Sequence, residues 1–398
     1  MNMVIYADNA ATTKMSPAAI EAMLPYMDTI YGNPSSLHSV GQRAEEALQD
    51  ARTRIAARLG CLPREIIFTS GGSEADNQAI LSAAVLGERK GKKHIISTAF
   101  EHHAVLHTLD KLQKRGFDIE LLPVDENGMI SVQQVADAIR EDTCLVTVMY
   151  ANNEIGSVLP IGEIGVLCRE KGVLFHTDAV QAVGKLPIDV SAQKIDMLSL
   201  SAHKFHGPKG IGVLYARRGI PLTSLIEGGS QEWKKRAGTE NIPAIMGMAA
   251  ALDEACDHME ENRVKLVALQ KKLIEGLSGI PHSVLNGDRE HRVPGNVHFC
   301  FEGIEGEGLL LLLDERGICT SSGSACTSGD LDPSHVLLAL GRPHEIAHGS
   351  LRLSLSATNT EEEVDIMLRE IPAIVSYLRN MSPLWRDKEA GRKEYILK

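Results

Sequence analysis

From about residue 60 to residue 216, the chain alternates short apolar, β-rich runs with stretches of helical periodicity. The strand candidates are EIIFTS (65–70), KHIIST (93–98), DIELLPV (118–124), CLVTVMY (144–150), VLFHTD (173–178), IDMLSL (195–200) and GIGVLYA (210–216). Between them lie helix-like stretches such as SEADNQAILSAAVLGERK and IGEIGVLCREKG. Strands that are apolar at nearly every position bury both faces. The pattern therefore predicts an α/β fold with a mostly parallel central sheet covered by helices on both sides. An earlier helix is expected to open at Ser16-Pro17, an N-cap residue followed by a first-turn proline.

A long helical region runs from about Pro243 to Leu277, and after it the texture changes. A strand (VPGNVHFCF), an apolar helix (GEGLLLLLDERG), a small-residue loop (CTSSGSACTSGD), an alternating strand (SLRLSLS) and a last helix (TEEEVDIMLREIPAIVSYLRNM) follow. This is the pattern of a separate α+β unit. At 398 residues the chain also exceeds the usual size of a single core. The expected division is a large domain over 15–258 and a smaller C-terminal domain over 259–398, the latter carrying the loop at about 319–333. Residues 1–14 are expected to pack with the small domain.

Composition narrows the function. Forty-one basic against 52 acidic residues give a net charge of −11, which disfavours general binding to nucleic acid or anionic membranes. The N-terminal MNMVIYADNAATT lacks the basic and apolar regions of a signal peptide. The aliphatic run Leu309–Leu313 falls far short of the ~20 residues a membrane span needs. Seven cysteines without CxxC spacing fit reduced thiols better than a disulfide framework, so a cytoplasmic location is expected.

Ligands of open α/β sheets sit beyond the carboxyl ends of the strands. VLFHTD ends in Asp178, and IDMLSL runs into Ser201-Ala202-His203-Lys204. A lysine and an aspartate at neighbouring strand ends suit pyridoxal 5′-phosphate: the amine forms a Schiff base with the aldehyde, and the carboxylate keeps the pyridine nitrogen protonated. Thr69-Ser70-Gly71-Gly72-Ser73-Glu74 lies between a strand and a helix, where backbone N–H groups and the helix dipole can receive a phosphate. Ser73, Ser201 and His203 can add side-chain donors. Cys326 stands in the small-residue run SSGSACTSG (321–329), an unusual place for a residue type that is commonly a buried hydrophobe. A loop of this composition is expected to be exposed and mobile, which suits a thiolate that must travel.

These segments occur together with DNAATT (8–13), GNPSSLHSVG (32–41), FTSGGSEADN (68–77), EHHAVL (101–106), ANNEIG (151–156), HTDAVQAVGKLPID (176–189), SAHKFHGPKGIGVLY (201–215), RAGTEN (236–241) and LRLSLS (351–356). In that order, across essentially the whole chain, they resemble the cysteine desulfurases of the NifS/IscS type, within the class-V aminotransferases. The branch phrasing is nearer NifS, which would link the chain to nitrogenase. The resemblance implies the aspartate-aminotransferase-like fold-type I of PLP-dependent transferases, a homodimer, and removal of sulfur from L-cysteine to give L-alanine and a persulfide on Cys326. The sulfur would pass to an acceptor, chiefly an iron–sulfur scaffold protein. It further implies that Lys204 carries the cofactor and removes the substrate's Cα proton. Asp178 would pair with the pyridine nitrogen, Gln181 and Asn153 would approach the ring's phenolic oxygen, and His102 would lie over the ring and handle the substrate thiol's proton. Gly72, Ser73, Ser201 and His203 would hold the phosphate, joined by Thr239 of the partner subunit. Arg352 would clamp the substrate carboxylate, with Asn33 assisting. No resident metal is expected, although Cys326 could serve as a transient iron–sulfur ligand.

Some features depart from the pattern or mislead. Ser230, Trp233 and Lys234 replace residues common in the family just before Thr239. Cys319 is an extra cysteine, expected to be buried at the start of the loop. His344-Glu345-Ile346-Ala347-His348 matches HExxH, but Pro343 and Gly349 bound it too tightly for a zinc-binding helix. An aminotransferase or lyase of the same fold would share Lys204 and Asp178 and have no use for Cys326. A silent scaffold should have lost one of the first two.

Overall fold

The computed structural model describes residues 4–323 and 333–397. A seven-stranded sheet forms the main body, in the order Ile66–Thr69, Gly212–Ala216, Met197–Ser201, Leu174–Asp178, Thr143–Thr147, His94–Thr98, Asp118–Leu122. Every pairing is parallel except those of Gly212–Ala216, which runs against both neighbours. The seven expected strands are the seven observed. Side chains alternate across a strand, and here the alternation feeds two cores. Ile67, Ile95, Leu145, Met197 and Leu214 pack on one face with the helix Gly72–Arg89. Ile66, Ile96, Val146, Leu198 and Val213 pack on the other. Asp118–Leu122 is the exception to burial on both sides: it is one edge of the sheet, and only Leu122 in it is buried.

A third core gathers Leu266, Leu273, Phe299, Leu309, Leu351 and Ile371 around a three-stranded antiparallel sheet of Ser283–Leu285, Asn296–Phe301 and Ser350–Ser354. Ile5 and Ala7, from the N-terminal segment, belong to this core, and Ile5–Tyr6 pairs in parallel with Ile318–Cys319. The long helical region is two helices, Ile242–Asp257 and Met259–Leu277, which meet at His258 (φ −101°, ψ 9°). Ser16 caps the helix Pro17–Asp28 by accepting from the Ala19 N–H, as its sequence predicts. The HExxH segment is a single turn, His344–Ala347, with Glu345 committed to Lys388. Among the described residues, no helix is long and apolar enough to cross a membrane.

Candidate active site

Two neighbouring parallel strands deliver the central residues. Leu174–Asp178 ends in Asp178, and Met197–Ser201 leads through one 3-10 turn, Ala202–Lys204, to Lys204. The Asp178 carboxylate is buried and accepts the Val180 N–H at 2.9 Å. Burial pushes its carboxyl upward, and His102, the Val180 N–H and Lys204 pull it back. The Lys204 Nζ donates to the carbonyls of Ala10 and Ala11 at 2.6 and 2.8 Å. The N-terminal segment is therefore part of the site. Thr12 Oγ1 meets His203 Nδ1 at 3.1 Å, and Gln181 Nε2 donates to the Ala10 carbonyl at 3.0 Å.

His102 caps the helix His103–Gln113, its Nδ1 accepting the Ala104 N–H at 3.1 Å. That bond assigns the exchangeable proton to Nε2. His102, Asp178 and Asp76 offer ligand atoms all within 4.8 Å of one another, a spacing that a metal ion could also use. Two buried carboxyls this close do not both ionise. Asp76 takes the proton, since burial and then Asp178 hold it well above the usual carboxylate range. Beneath them His176 bonds Thr147 and Ser199 at 2.8 and 3.0 Å, and burial lowers it to about 3, so it is neutral.

The helix Gly72–Arg89 starts beside the carboxyl ends of these strands, and Gly71 gives it no side-chain cap. Its first N–H groups therefore have no partner within the helix or from a cap. Gly71 has φ +152°, and a Cβ on Gly72 would lie 2.6 Å from Val180 Cγ2. The turn is shaped for glycine and for close backbone approach. Ser201 stands alongside, its Cβ 3.8 Å from where a Gly72 Cβ would be. Burial, with the nearby Lys204, brings His203 down to about 4, leaving it a neutral hydrogen-bonding group. A buried carboxylate, an adjacent lysine amine and an uncapped helix terminus with hydroxyl neighbours together fit the pyridine nitrogen, aldehyde and phosphate of pyridoxal phosphate.

Arg352 lies on the strand Ser350–Ser354 and is 2% exposed. It donates to the carbonyls of Asn153 and Gly323 at 3.1 and 2.7 Å and to Asp8 Oδ1 at 2.9 Å. Asn153 thus reaches Arg352 through its backbone. Ser73 is exposed at the start of its helix. Asn33 and Thr239 are exposed, and no described contact joins either to Arg352 or Lys204. Thr239 instead lines a cavity of about 60 Å³ with Ser70 and Arg236. Cys326 lies outside the described residues. The six described cysteines are all free, and burial raises each thiol, to about 12 for Cys61, Cys168 and Cys300 and about 11 for Cys144. None is poised as a thiolate. Cys319 is half-buried rather than buried, because it sits on a short two-stranded edge with its thiol toward Asp314.

The family model for class-V aminotransferases matches residues 5–367. The chain belongs to the class-V aminotransferases. Its relatives within that family carry cysteine desulfurase names. The chain is 52% identical over 397 residues to the cysteine desulfurase IscS of Clostridium botulinum, covering 99% of this chain and 100% of that one. To the cysteine desulfurase NifS of Azotobacter vinelandii it is 48% identical over 383 residues, covering 96% of this chain and 95% of that one. A solved NifS-like protein superposes with a TM-score of 0.89 at 38% identity, over 94% of this chain and all of the other. The structure of SspA in complex with cysteine superposes with a TM-score of 0.79 at 36% identity, over 89% of this chain and all of that one. Class-V aminotransferases and cysteine desulfurases are PLP-dependent, and the seven-stranded, mostly parallel sheet is the fold of this chain's solved neighbours.

Four residues at the site were not singled out by sequence reasoning. Asp76 stands inside FTSGGSEADN, where only Gly72 and Ser73 were given roles, and Asp8 inside DNAATT, where no residue was. Arg236 braces Glu74, which accepts the Ser70 N–H at 2.7 Å, so it steadies the turn before the helix Gly72–Arg89. Half-buried Lys185 donates to Gln181 Oε1 at 3.2 Å, and burial with Lys204 and Arg352 nearby lowers it to about 7. No sequence pattern separates such a lysine from a surface one.

Proposed function

We propose that this chain is a cysteine desulfurase that binds pyridoxal phosphate through Lys204 and moves the sulfur of free L-cysteine onto Cys326, leaving L-alanine. The observation that carries the reading is the buried Asp178 carboxyl, close to His102 and under the charge of the Lys204 amine at the neighbouring strand end, in a chain half identical to relatives named for this activity. When bound, the cofactor supplies an electron sink that makes the substrate's Cα proton acidic.

The chain's own residues then divide the work. Asp178 holds the ring nitrogen's proton. Gly72, Ser73, Ser201 and His203 receive the phosphate, and Gln181 presents its amide near the ring. Thr239 of the partner subunit completes the phosphate site in a homodimer, a role suited to its exposure. Arg352, helped by Asn33, binds the substrate carboxylate, for which a guanidinium fork is the matching shape. The Lys204 amine takes the Cα proton, and His102 Nε2 exchanges the proton of the substrate thiol. The Cys326 thiolate attacks the substrate sulfur: an S–S bond forms, the C–S bond breaks, and the carbon skeleton departs as alanine.

In the division we propose, residues 15–258 supply Lys204 and Asp178 while 259–398 supply Arg352 and Cys326. The segment 1–14 bonds to both Lys204 and Arg352. The persulfide sulfur would go to an iron–sulfur scaffold or a similar acceptor protein. The test is to incubate the purified, cofactor-loaded protein with L-cysteine and a reductant and to quantify alanine and sulfide. Equal amounts of the two support the reading; pyruvate with ammonia, or an exchanged amino group, would indicate a lyase or an aminotransferase.

A further inference from the structure

Arg352 is held on every side before any substrate arrives. Its backbone pairs with His298 on one edge and with Ser321 on the other, donating to the Ser321 carbonyl at 2.6 Å. A guanidinium has five N–H donors. Both on Nη1 are spent on backbone carbonyls, Asn153 at 3.1 Å and Gly323 at 2.7 Å, and one on Nη2 is spent on Asp8 Oδ1 at 2.9 Å. Among the described contacts two are left over, the second Nη2–H and the Nε–H, the latter buried. A buried donor on a charged group is matched best by an anionic acceptor.

Asp8 is the carboxylate that pairs with this guanidinium among the described ion pairs. Its own placement is fixed. Asp8 bridges Ser354, two residues along the strand from Arg352 and on the same face. Ser354 N–H bonds the Ala7 carbonyl at 2.7 Å, and Asn9 N–H bonds the Ser354 carbonyl at 3.1 Å. The Asp8 carbonyl receives the N–H groups of Ala11 and Thr12 at 3.1 and 3.4 Å. Two further carbonyls of the same turn, Ala10 and Ala11, hold the Lys204 amine.

We infer that Asp8 is a positioning residue for substrate binding: it fixes the Arg352 guanidinium so that the Nε–H and the second Nη2–H face an incoming α-carboxylate. This rests on the reading of Arg352 as the substrate's carboxylate clamp. Asp8 acts through the arginine and does not itself touch the substrate.

The experiment compares wild type with Asp8→Ala and Asp8→Asn, all loaded with cofactor. Two constants are measured: the Michaelis constant for L-cysteine, and the dissociation constant for L-alanine, which has the carboxylate and lacks the thiol. Asp8→Ala should raise both by about tenfold, the value of one charge-assisted hydrogen bond, with kcat within about twofold and the visible spectrum unchanged. Asp8→Asn keeps an oxygen acceptor on the same backbone and should recover most of the loss. Unchanged or lowered constants in Asp8→Ala, or a fall in kcat at constant KM, would overturn the inference. If wild type formed no alanine from cysteine, the desulfurase reading would fail, while the alanine dissociation constants would still decide the role of Asp8.

Discussion

Arg352 donates to the carbonyl of Gly323 at 2.7 Å, which ties the arginine of the proposed substrate site to the residue three positions before Cys326. The same guanidinium reaches Asn153, which follows the strand Thr143–Thr147, and Asp8 of the N-terminal segment. One side chain thus joins three separate parts of the chain.

Arg352→Lys keeps the charge and loses the fork. A single ammonium cannot serve Asn153, Gly323 and Asp8 and still offer two parallel donors to a carboxylate. The Michaelis constant for L-cysteine should rise by about 30-fold or more, roughly the worth of a lost bidentate pair, as read by alanine formation. A change under about threefold would remove Arg352 from the substrate site.

Gly72→Ala places a methyl group 2.6 Å from Val180 Cγ2. Val180 donates its N–H to Asp178, so relieving the clash shifts the aspartate as well as the phosphate turn. Overpacking of this kind costs about 1–3 kcal/mol. The expected result is weaker retention of pyridoxal phosphate on dialysis, by about tenfold or more in dissociation constant, with the fold intact by circular dichroism. Retention equal to wild type would contradict the phosphate assignment.

Glu101 gives the clearest pH dependence. Its side chain is fully buried, one oxygen accepts Thr98 Oγ1 and the Met149 N–H, and the other has no partner among the described residues. Burial raises the carboxyl from 4.5 to about 8. Between those values the folded chain holds a proton that the unfolded chain has released. This group's stabilisation is therefore complete below about 4.5 and is lost as pH rises through 8. The buried histidines His176, His203 and His298, lowered to about 3, 4 and 3, add no slope above their ordinary 6.5. Lys185, lowered to about 7, adds an opposite slope above that pH in wild type and variant alike, so the Glu101 contribution is read as a difference: between pH 6.5 and 8 the urea stability of wild type should fall relative to that of Glu101→Gln. Parallel slopes would show that Glu101 is already ionised in the folded protein.

Before Thr239, the residues Glu232, Trp233 and Lys234 all take left-handed backbone, with φ of 45°, 56° and 64°. Such conformations are costly for non-glycine residues and persist where surroundings fix them. The fixing contact is Arg52, which grips Glu232 through two bonds of 2.9 and 2.6 Å and lies between the Phe68 and Trp233 rings. Removing one partner of a buried ion pair costs about 3–5 kcal/mol, so Glu232→Ala should lower the urea midpoint strongly. A loss below about 1 kcal/mol would show that the turn is held by other means.

The main sheet was legible because strands buried on both faces leave near-continuous apolar runs, and six of the seven strands are so buried. Asp118–Leu122, at one edge of the sheet, departed from that burial, whereas Ile66–Thr69 at the other edge is buried throughout. The helix Ser39–Leu59 went unnamed in the periodicity: it buries alanines such as Ala44, Ala47 and Ala51, which carry a weak hydrophobic signal, and His38 rather than a hydroxyl residue caps it. The pairing of Ile5–Tyr6 with Ile318–Cys319 joins residues more than 300 positions apart, beyond any local pattern. At the site, Lys204 and Asp178 were readable because strand ends are where ligands bind. Asp8, Asp76 and Lys185 were not, because their significance comes from what faces them across the fold.

The central claim is a sulfur moved from cysteine to residue 326, and the most direct measurement is mass spectrometry of the peptide containing Cys326 after one turnover, beside alanine yield in Cys326→Ala. One added sulfur on that peptide, with one alanine released, is the expected result. Cys326→Ala should keep the visible absorption of the cofactor but form alanine at under about 1% of the wild-type rate, as expected when a nucleophile is removed. Alanine and sulfide formed by Cys326→Ala at the wild-type rate, or the added sulfur found on another cysteine, would contradict it.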